Sequence, residues 1–285
     1  MFVDLHLHTT YSDGSFTPEE LILEAKKLNY SAIAVTDHDT VAGLNQVIQF
    51  GKKYGIETVP GIEFNTSYKN CDVHILGYFI DRKSNKLLKL LKKIKDERRE
   101  RIEKMIRLLD KQFGFKINMK EIKEISSNNI LGRGHIARLL TEKNYVDSWE
   151  EVFNKYIGRG KPGYVDRNKI TPFEAIDIIK EAEGIPVIAH PGLITNQQII
   201  DQLINYGVSG IEVYYTEHDN KMTEKYLKFA KRNELLITGG SDCHGPKNKE
   251  GKKLGKIKLD YCYLKELKKY KSILNDKPFK KDLLS

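Results

Sequence analysis

The chain has 285 residues, of which 40% are hydrophobic, and its formal net charge is +9. This length and composition allow a sizeable core and fit one large domain, with or without an insertion. They argue against a membrane protein, because no apolar run reaches the roughly 18 residues that a membrane helix needs. The three cysteines are dispersed and odd in number, so no disulfide framework is implied. The N-terminal residues lack the pattern of a signal peptide, and we therefore expect a cytoplasmic protein.

The positive charge is concentrated in two stretches. Residues 85–116 contain 12 Lys and Arg against 5 Asp and Glu, and residues 247–285 contain 13 against 5. The rest of the chain is therefore net acidic. A basic surface beside an acidic site suits a phosphorylated or polyanionic substrate. A general richness in lysine explains the same counts equally well, since lysines spread over helices usually form solvated surface.

The first fourteen residues carry a pattern that indicates chemistry. An apolar run at 2–7 predicts a strand, and His6 and His8 stand two residues apart within it and at its end. Side chains of a strand alternate between its faces, so both imidazoles leave the same face. A turn then brings Asp13 back toward them. Imidazole and carboxylate are common ligands of first-row metals, and the segment therefore predicts metal binding.

Helix and strand patterns alternate up to about residue 80. A capping box at 17–20, with proline at the first helical position, begins the first predicted helix. The helices predicted in this part cover 17–28 and 41–54, and the later strands cover 32–35, 56–64 and 73–80. Such βα alternation predicts a parallel sheet or barrel.

Residues 85–164 interrupt this alternation. The pattern is helical at about 85–110, and shorter helical patterns follow at 119–125, 134–143 and 148–156. Eighty residues without a convincing strand predict an all-helical insertion domain at 85–164. The catalytic barrel is then formed by 1–84 and 165–285, and the glycine-rich segment 158–163 is the expected hinge between them.

The alternation resumes after the insertion with a second capping box at 171–174. The helices predicted from here to the end cover 171–183, 196–206, 219–232 and 263–274. The strands predicted between them cover 186–189, 210–214 and 235–238.

The candidate metal ligands share one placement, the C-terminal end of a predicted strand. This rim is where α/β barrels assemble their chemistry, and six of the eight histidines, His218 included, lie at such positions. His74 lies inside its strand. The nine candidates are His6, His8, Asp13, His38, Glu63, His74, His190, Asp242 and His244. One zinc ion takes about three protein ligands plus water, so nine candidates predict two or three divalent ions.

Glu63 is the expected bridge between ions, since Gly61 beside it lets another backbone approach closely. Taken singly, Asp13, Glu63 and His74 are explained equally well as a helix cap, a surface acid and a core histidine. Taken together, they support one another. Manganese, zinc and iron all fit a mixture of imidazole and carboxylate ligands.

Five ordered motifs make the sequence similar to a known family. They read His-Leu-His at 6–8, Thr-Asp-His-Asp at 36–39, Pro-Gly-Ile-Glu at 60–63, Ala-His-Pro-Gly at 189–192 and Gly-Ser-Asp-Cys-His at 240–244. Over essentially the whole chain, the sequence resembles the PHP (polymerase and histidinol phosphatase) family. Its order and spacing look most like the stand-alone bacterial PHP phosphoesterases with a helical insertion.

The resemblance implies a fold, a metal centre and a substrate class. The fold is a distorted (β/α)7 TIM-like barrel with a trinuclear metal centre. The implied ligand sets are His6, His8, Glu63 and Asp242 for one ion, Asp13, His38 and His244 for a second, and Glu63, His74 and His190 for a third. The implied substrates are nucleotides, including nucleoside 3′,5′-bisphosphates, and short RNA that is degraded 5′→3′.

Substrate phosphate needs hydrogen-bond donors besides the metals. Arg133 and His135 stand at the start of a predicted insertion helix, and Arg159 and Lys161 flank the glycine-rich hinge. Glycine neighbours let a ligand approach the backbone, and arginine can hold a phosphate with two hydrogen bonds. These four residues are therefore candidates for substrate binding, although ordinary surface charge explains them as well.

The expected reaction is attack of a metal-activated hydroxide on phosphorus, with no covalent nucleophile. Asp13 and Glu63 are the candidate catalytic carboxylates. His218 follows a predicted strand on the same rim and is a candidate to contact substrate or to protonate the leaving group. Cys243 is interpreted as a small buried residue rather than a nucleophile.

The predicted protein is thus a metal-dependent phosphoesterase, whose partner is a phosphorylated small molecule, a nucleotide or short RNA. We expect no membrane association and no obligate protein partner. A histidinol-phosphate or other small-metabolite phosphatase is the alternative within the same fold. A non-catalytic module that binds metal or nucleic acid, and a metal-dependent amide hydrolase, are the alternatives of other classes. A polymerase proofreading domain is disfavoured, because no polymerase module accompanies these residues.

Overall fold

The computed structural model describes residues 1–126, 131–246 and 254–276. The chain divides into two compact units, Met1–Leu87 with Ile170–Ser285, and Leu88–Lys169. These bounds lie three to five residues from the predicted ones, and the assignment of the second unit as an inserted domain stays a prediction. Within the second basic stretch, residues 247–253 and 277–285 lie outside the described residues.

The first unit is built on one eight-stranded sheet in the order β7-β6-β5-β4-β3-β2-β1-β8. The strands are β1 (Phe2–Leu7), β2 (Tyr30–Val35), β3 (Glu57–Tyr68), β4 (Cys71–Tyr78), β5 (Ile185–Ile188), β6 (Gly210–Tyr215), β7 (Leu236–Gly240) and β8 (Leu259–Asp260). The end of β1 also meets the segment after β7, because Leu7 pairs with Cys243 and the Asp242 N–H donates to the His6 carbonyl. The sheet is thereby nearly closed, and the predicted TIM-like barrel is confirmed.

Two features of the sheet depart from the expected seven-stranded parallel barrel. The eighth strand, β8, has only two residues and pairs antiparallel with β1. Strand β4 runs antiparallel to both β3 and β5. The reversal occurs at Lys69 and Asn70, which both have positive φ (48° and 64°) and join β3 directly to β4. A two-residue turn with positive φ at both positions is favoured in hairpins. The Lys-Asn pair here lacks the Asn-Gly or Asp-Gly signature by which such turns are recognised in a sequence.

Ten helices are described, and they include every helix that the patterns predict. They are α1 (Pro18–Lys27), α2 (Leu44–Tyr54), α3 (Asn85–Phe113), α4 (Met119–Ile125), α5 (Arg133–Glu142), α6 (Trp149–Glu151), α7 (Pro172–Glu181), α8 (Gln198–Tyr206), α9 (Asn220–Arg232) and α10 (Tyr261–Asp276). A short π-helical segment covers Val152–Ile157, and a short 3₁₀ segment covers Pro191–Leu193. No described helix has both the length and the apolar character needed to cross a membrane.

Each unit has its own hydrophobic core. In the first unit, buried residues of β1 to β5, such as Leu5 and Tyr78, form one cluster with Leu264 and Leu267 of α10. In the second unit, the core joins α3 to the shorter helices through a separate cluster that includes Met105 and other buried residues. The described part of the second unit, 88–126 and 131–169, contains no strand.

Both predicted capping boxes are formed. At α7, the Thr171 hydroxyl accepts the Glu174 N–H at 3.2 Å, and a Glu174 carboxylate oxygen accepts the Thr171 N–H at 2.7 Å. Thr17 and Glu20 make the same pair of contacts at α1. These bonds satisfy backbone donors that a helix start leaves without a partner, and they fix where each helix leaves the sheet.

Replacing Thr171 with alanine removes the oxygen that accepts the Glu174 N–H. We expect the free energy of unfolding to fall by about 1 kcal/mol, the usual loss for such a cap. The measurement is urea denaturation followed by circular dichroism. Thr171→Ser keeps the hydroxyl and serves as the matched control. Equal stability of the two variants would show that this cap does not contribute.

Candidate metal centre

Nine side chains converge where the strands of the sheet end. Three positions lie on strands, and the others lie in the segments that directly follow them. The nine residues are His6 in β1, His8 and Asp13 after β1, His38 after β2, Glu63 in β3, His74 in β4, His190 after β5, and Asp242 and His244 after β7. They are the nine candidates named from the sequence. Six short segments far apart in the chain are needed to form the cluster.

The carboxylate of Glu63 lies at the centre of this cluster. Its side chain is only 1% exposed. The Glu63 oxygens lie 2.8 to 3.1 Å from nitrogens of five imidazoles. Oε2 faces His6, His8 and His38, and Oε1 faces His74 and His190. A carboxylate whose two oxygens face different sets of imidazoles has the position that a bridging ligand needs.

The other two acids lie on the sides of the cluster. Asp242 Oδ1 lies 3.0 Å from His8 Nε2 and 3.5 Å from His6 Nε2. Asp13 Oδ1 lies 3.2 Å from His244 Nε2, and its Oδ2 lies 3.9 Å from His38 Nε2. The Asp13 side chain is 58% exposed, so this acid lies on the open side of the cluster.

The ligand atoms form three sets in which all atoms lie within 4.8 Å of one another. The first set is His6, His8, Glu63 and Asp242, the same set that the resemblance implies for one ion. The second adds His8 to the implied Asp13, His38 and His244. The third contains His38, Glu63 and His74, with His38 in place of the implied His190. His190 still faces the cluster, since its Nε2 lies 3.1 Å from Glu63 Oε1.

Several buried atoms of the cluster fit a bound cation. His8 Nε2, His38 Nδ1 and Asp242 Oδ1 are buried and have no hydrogen-bond partner within the described part of the chain. Leaving a buried polar atom unsatisfied costs about 1–3 kcal/mol. All three are atoms of a type that coordinates metals, and their residues belong to the three sets, His8 and His38 to two sets each. The donor set and its unsatisfied atoms therefore suit divalent ions.

The acids of the cluster are ionised by their surroundings. Burial by itself raises the pKa of Glu63, but the imidazoles of His38, His6 and His74 outweigh it and lower that pKa well below its usual range. Burial by itself also raises the pKa of Asp242. The imidazoles of His6 and His8 outweigh this effect and lower that pKa well below its usual range. Ionised carboxylates are the form that binds metal.

Glycines allow the close approach of strands at this site. A Cβ added to Gly61 in β3 would lie 2.8 Å from Thr36 Cγ2 and 3.0 Å from the Val35 carbonyl oxygen. A Cβ on Gly240, at the end of β7, would lie 2.3 Å from the His6 Cβ. Either contact is too short for a real side chain, so these two positions need glycine. The expected close backbone approach beside Glu63 is present.

Three non-glycine residues with positive φ lie in the cluster or beside it. Asp39, His190 and Asp242 have φ values of 52°, 27° and 51°. Such conformations cost free energy for residues with a Cβ, and they persist where the surrounding structure imposes them, often at functional sites. Two of the three are members of the cluster, and Asp39 donates its N–H to the Glu63 carbonyl at 2.9 Å.

Glu212 in β6 orients two members of the cluster, and the sequence patterns did not single it out. Its fully buried carboxylate lies 3.0 Å from His6 Nδ1 and accepts the His190 backbone N–H at 2.8 Å. A carboxylate accepts hydrogen bonds, so His6 carries its proton on Nδ1 and directs the Nε2 lone pair toward Glu63 and Asp242. Outer carboxylates commonly orient metal-binding histidines in this way. The available signal was an acid within the apolar run Gly210–Tyr215.

Two further contacts orient ligands from outside the cluster. The Ser12 hydroxyl lies 3.4 Å from His8 Nδ1 and donates to Asp37 at 2.6 Å. The Tyr215 hydroxyl donates to Asp242 Oδ2 at 3.1 Å. These contacts leave His8 Nε2 and Asp242 Oδ1 directed into the cluster.

His218 lies near this rim but is held by backbone groups. Its Nδ1 donates to the Val213 carbonyl at 2.8 Å, and its Nε2 accepts the Gly192 N–H at 3.2 Å. Burial lowers the pKa of His218, which favours this neutral form. The suggested role in proton transfer stays a prediction, and it requires Nε2 to release Gly192 first. Cys243, between two cluster residues, is buried as expected.

Four of the five predicted substrate-binding residues, all but His218, belong to the second unit. Arg133 begins α5 and donates from Nη1 to the Ile157 carbonyl at 3.4 Å. His135 Nδ1 accepts the Gly132 N–H at 3.2 Å and so caps the same helix. Arg159 and Lys161 are exposed in the segment that follows the π-helical turn. None of the four belongs to the cluster of nine, and their role in substrate binding stays a prediction.

Comparison with known proteins identifies a family and several similar proteins. The model of the PHP domain matches residues 4–165. The chain is 30% identical over 250 residues to the 5′-3′ exoribonuclease Rnm of Escherichia coli K12, and the alignment covers 85% of each chain. It is 33% identical over 249 residues to a 3′,5′-nucleoside bisphosphate phosphatase of Chromobacterium violaceum, covering 86% of this chain and 87% of the relative. A crystal structure described as a metal-dependent phosphoesterase of Bifidobacterium adolescentis superposes with a TM-score of 0.80 at 27% identity, over 93% and 94% of the two chains.

Replacing Glu63 with glutamine removes the charge at the centre of five imidazoles and leaves only one accepting oxygen. We expect bound metal and turnover to fall together, with turnover reduced roughly 100-fold or more. Metal content is measured by mass spectrometry after gel filtration, and turnover with p-nitrophenyl phosphate. The exposed Glu224→Gln in α9 is the control. Full metal content with a normal rate would remove Glu63 from the bridging position.

Replacing Glu212 with glutamine places an amide NH₂ against one of two donors, the His6 Nδ1–H or the His190 N–H. We expect metal affinity to fall about 10–100-fold, the usual effect of losing an orienting carboxylate. Affinity is measured by competition with a chromogenic chelator. Glu217→Gln, five residues further along and exposed, is the matched control. An unchanged affinity in the Glu212 variant would contradict the orienting role.

Proposed function

The chain belongs to the PHP domain family, and we propose that it hydrolyses phosphate esters of nucleotides and short RNA at the cluster of nine ligands. Its membership makes it a metal-dependent phosphoesterase. The finer statement, the substrate, is supported by two relatives that cover more than four fifths of the chain and are named for RNA and for nucleoside bisphosphates.

The observation that carries the proposal is the position of Glu63 among five imidazoles. We propose that Glu63 bridges two or three divalent ions of manganese, zinc or iron. The remaining ligands are His6, His8, Asp13, His38, His74, His190, Asp242 and His244. When bound, such ions lower the pKa of water to about 7 and neutralise the phosphate oxygens during in-line attack.

The residues of the chain have separate tasks in this reaction. Glu212 keeps the proton of His6 on Nδ1, so that Nε2 stays available for coordination. Glu63 is 1% exposed, so its carboxylate is shielded from bulk water at the centre of the cluster. Asp13 is 58% exposed, so water and substrate reach the cluster from its side. We propose that its carboxylate takes part in catalysis.

We place the enzyme in the cytoplasm, where nucleotides and short RNA are found. The second unit is proposed to be an inserted domain that binds the substrate outside the reacting phosphate. Arg133, His135, Arg159 and Lys161 are its candidate contacts. No membrane or obligate protein partner is included in the proposal.

The test is a parallel assay of the full chain loaded with Mn²⁺. We expect phosphate release from a nucleoside 3′,5′-bisphosphate, and mononucleotide release from a 5′-phosphorylated RNA pentamer. Both products should disappear with Glu63→Gln or excess chelator, because both reactions use one metal centre.

The two substrates separate the possible outcomes. Phosphate from the bisphosphate alone would restrict the activity to nucleotides, and mononucleotides from the pentamer would extend it to RNA. Neither product, with bound metal verified, would contradict the proposal and leave small-metabolite phosphates as the substrate class.

A further inference from the structure

The second unit carries a row of cations and aromatic rings that the metal chemistry does not use. Arg101 Cζ and Arg133 Cζ each lie 5.6 Å from the centroid of the Tyr164 ring. Arg133 Cζ also lies 5.4 Å from the Phe153 ring, which lies 5.5 Å from the Trp149 ring. We call these five residues the arginine–aromatic array.

The two guanidinium groups of the array are oriented by backbone and rings rather than by acids. Arg101 Nε donates to the Val165 carbonyl at 2.7 Å, and Arg133 Nη1 donates to the Ile157 carbonyl at 3.4 Å. Neither side chain forms an ion pair with a carboxylate in residues 1–126, 131–246 and 254–276. Each guanidinium has five N–H donors, so these bonds use only a small part of its capacity.

Positive charge is concentrated around Arg101. Its side chain is half-buried, and burial together with the nearby Arg133, Arg167 and Arg98 lowers its pKa to about 10. The group is therefore charged at neutral pH in surroundings that favour an added anion. An array of like charges is stabilised when a polyanion binds.

A cavity of about 80 Å³ lies beside Arg101, between α3 and the segment 165–168. Its lining contains four Lys and Arg side chains and three Asp and Glu side chains. A volume of this size holds several water-sized groups and is large enough for a phosphate.

The aromatic end of the array is open to solvent. Trp149 is 36% exposed. Its ring lies against the start of α5, since a Cβ on Gly134 would approach Trp149 Cη2 to 3.0 Å. Phe153 belongs to the π-helical turn Val152–Ile157, and such turns are frequent at functional sites. An exposed indole in one row with oriented guanidinium groups is typical of surfaces that stack bases and hold a single strand.

We propose that the arginine–aromatic array binds single-stranded RNA, with Arg101 and Arg133 on phosphates and Trp149 stacked on a base. Four successive contacts of 5.4 to 5.6 Å separate Arg101 from Trp149. Cations and rings alternate along most of this row, as phosphates and bases do along a strand. This inference rests on the proposed function. Its consequence is that the second unit binds a strand of RNA rather than a mononucleotide.

The experiment measures binding by the metal-loaded chain of 285 residues. The probe is a fluorescein-labelled RNA octamer with phosphorothioate linkages, which resists hydrolysis, and the signal is fluorescence anisotropy. We expect Arg101→Met to weaken binding about tenfold and to reduce the slope of log K against log[salt] by about 0.7, the value for one lost phosphate contact with a single strand. Trp149→Ala should weaken binding at least fivefold and leave the slope unchanged, because stacking is not ionic.

Arg138→Met is the matched control. Arg138 lies on α5, is exposed, and pairs with Glu142 at 2.7 Å. We expect it to keep the affinity and slope of the unsubstituted protein. Circular dichroism and metal content verify that each variant is folded. Folded Arg101 and Trp149 variants that bind like Arg138→Met would overturn the proposal, as would displacement of the RNA by a poly-glutamate peptide at equal charge.

The two proposals fail separately. Binding is measured with a strand that is not hydrolysed, so a negative result at the array leaves phosphate release from the bisphosphate intact. Conversely, a metal-loaded protein that releases no product from either substrate contradicts the proposed function, while its RNA affinity still reports on the array.

Discussion

The structure of the first unit depends on one electrostatic constraint, a buried carboxylate surrounded by imidazoles. Glu63 is 1% exposed and faces five histidines at 2.8 to 3.1 Å. An ionised carboxylate in such a position is costly unless positive charge lies close by. The histidines lower its pKa, and divalent ions at the same atoms would neutralise it further. The ends of β1 to β5 and the segment after β7 must therefore meet around this one group.

Several local features follow from that constraint. Gly61 and Gly240 let neighbouring strands approach closer than a side chain would allow. Positive φ angles at His190 and Asp242 turn their side chains toward the cluster just where the strands end. On the side away from Glu63, the Glu212 carboxylate accepts hydrogen bonds from His6 Nδ1 and from the His190 backbone N–H. Backbone strain and buried charge occur together in these residues, which is typical of a site maintained for chemistry rather than stability.

The second unit is organised differently. Its core is apolar and helical, and its charged residues lie on the surface or stack on rings. Arg101 and Arg133 are oriented by carbonyls and aromatic faces, so their remaining donors are held in place without a carboxylate partner. A rigid donor loses little conformational entropy when a ligand binds, which is how such a surface gains affinity for a flexible strand.

The sequence alone determined the elements and the candidate ligands, because both depend on local rules. Strand alternation places His6 and His8 on one side, and capping boxes at Thr17 and Thr171 mark helix starts; the structure contains both boxes and every predicted helix. Tertiary structure decided the remainder. The reversal at Lys69 and Asn70 depends on backbone angles that this residue pair does not signal. Glu212 contacts His6, which is 206 residues away in the sequence. Arg101 contacts Tyr164, and most of the second unit separates these two residues in the sequence. A pattern read along the chain specifies which residues leave the same face, but only packing decides which distant side chains meet, because that depends on how whole elements come together.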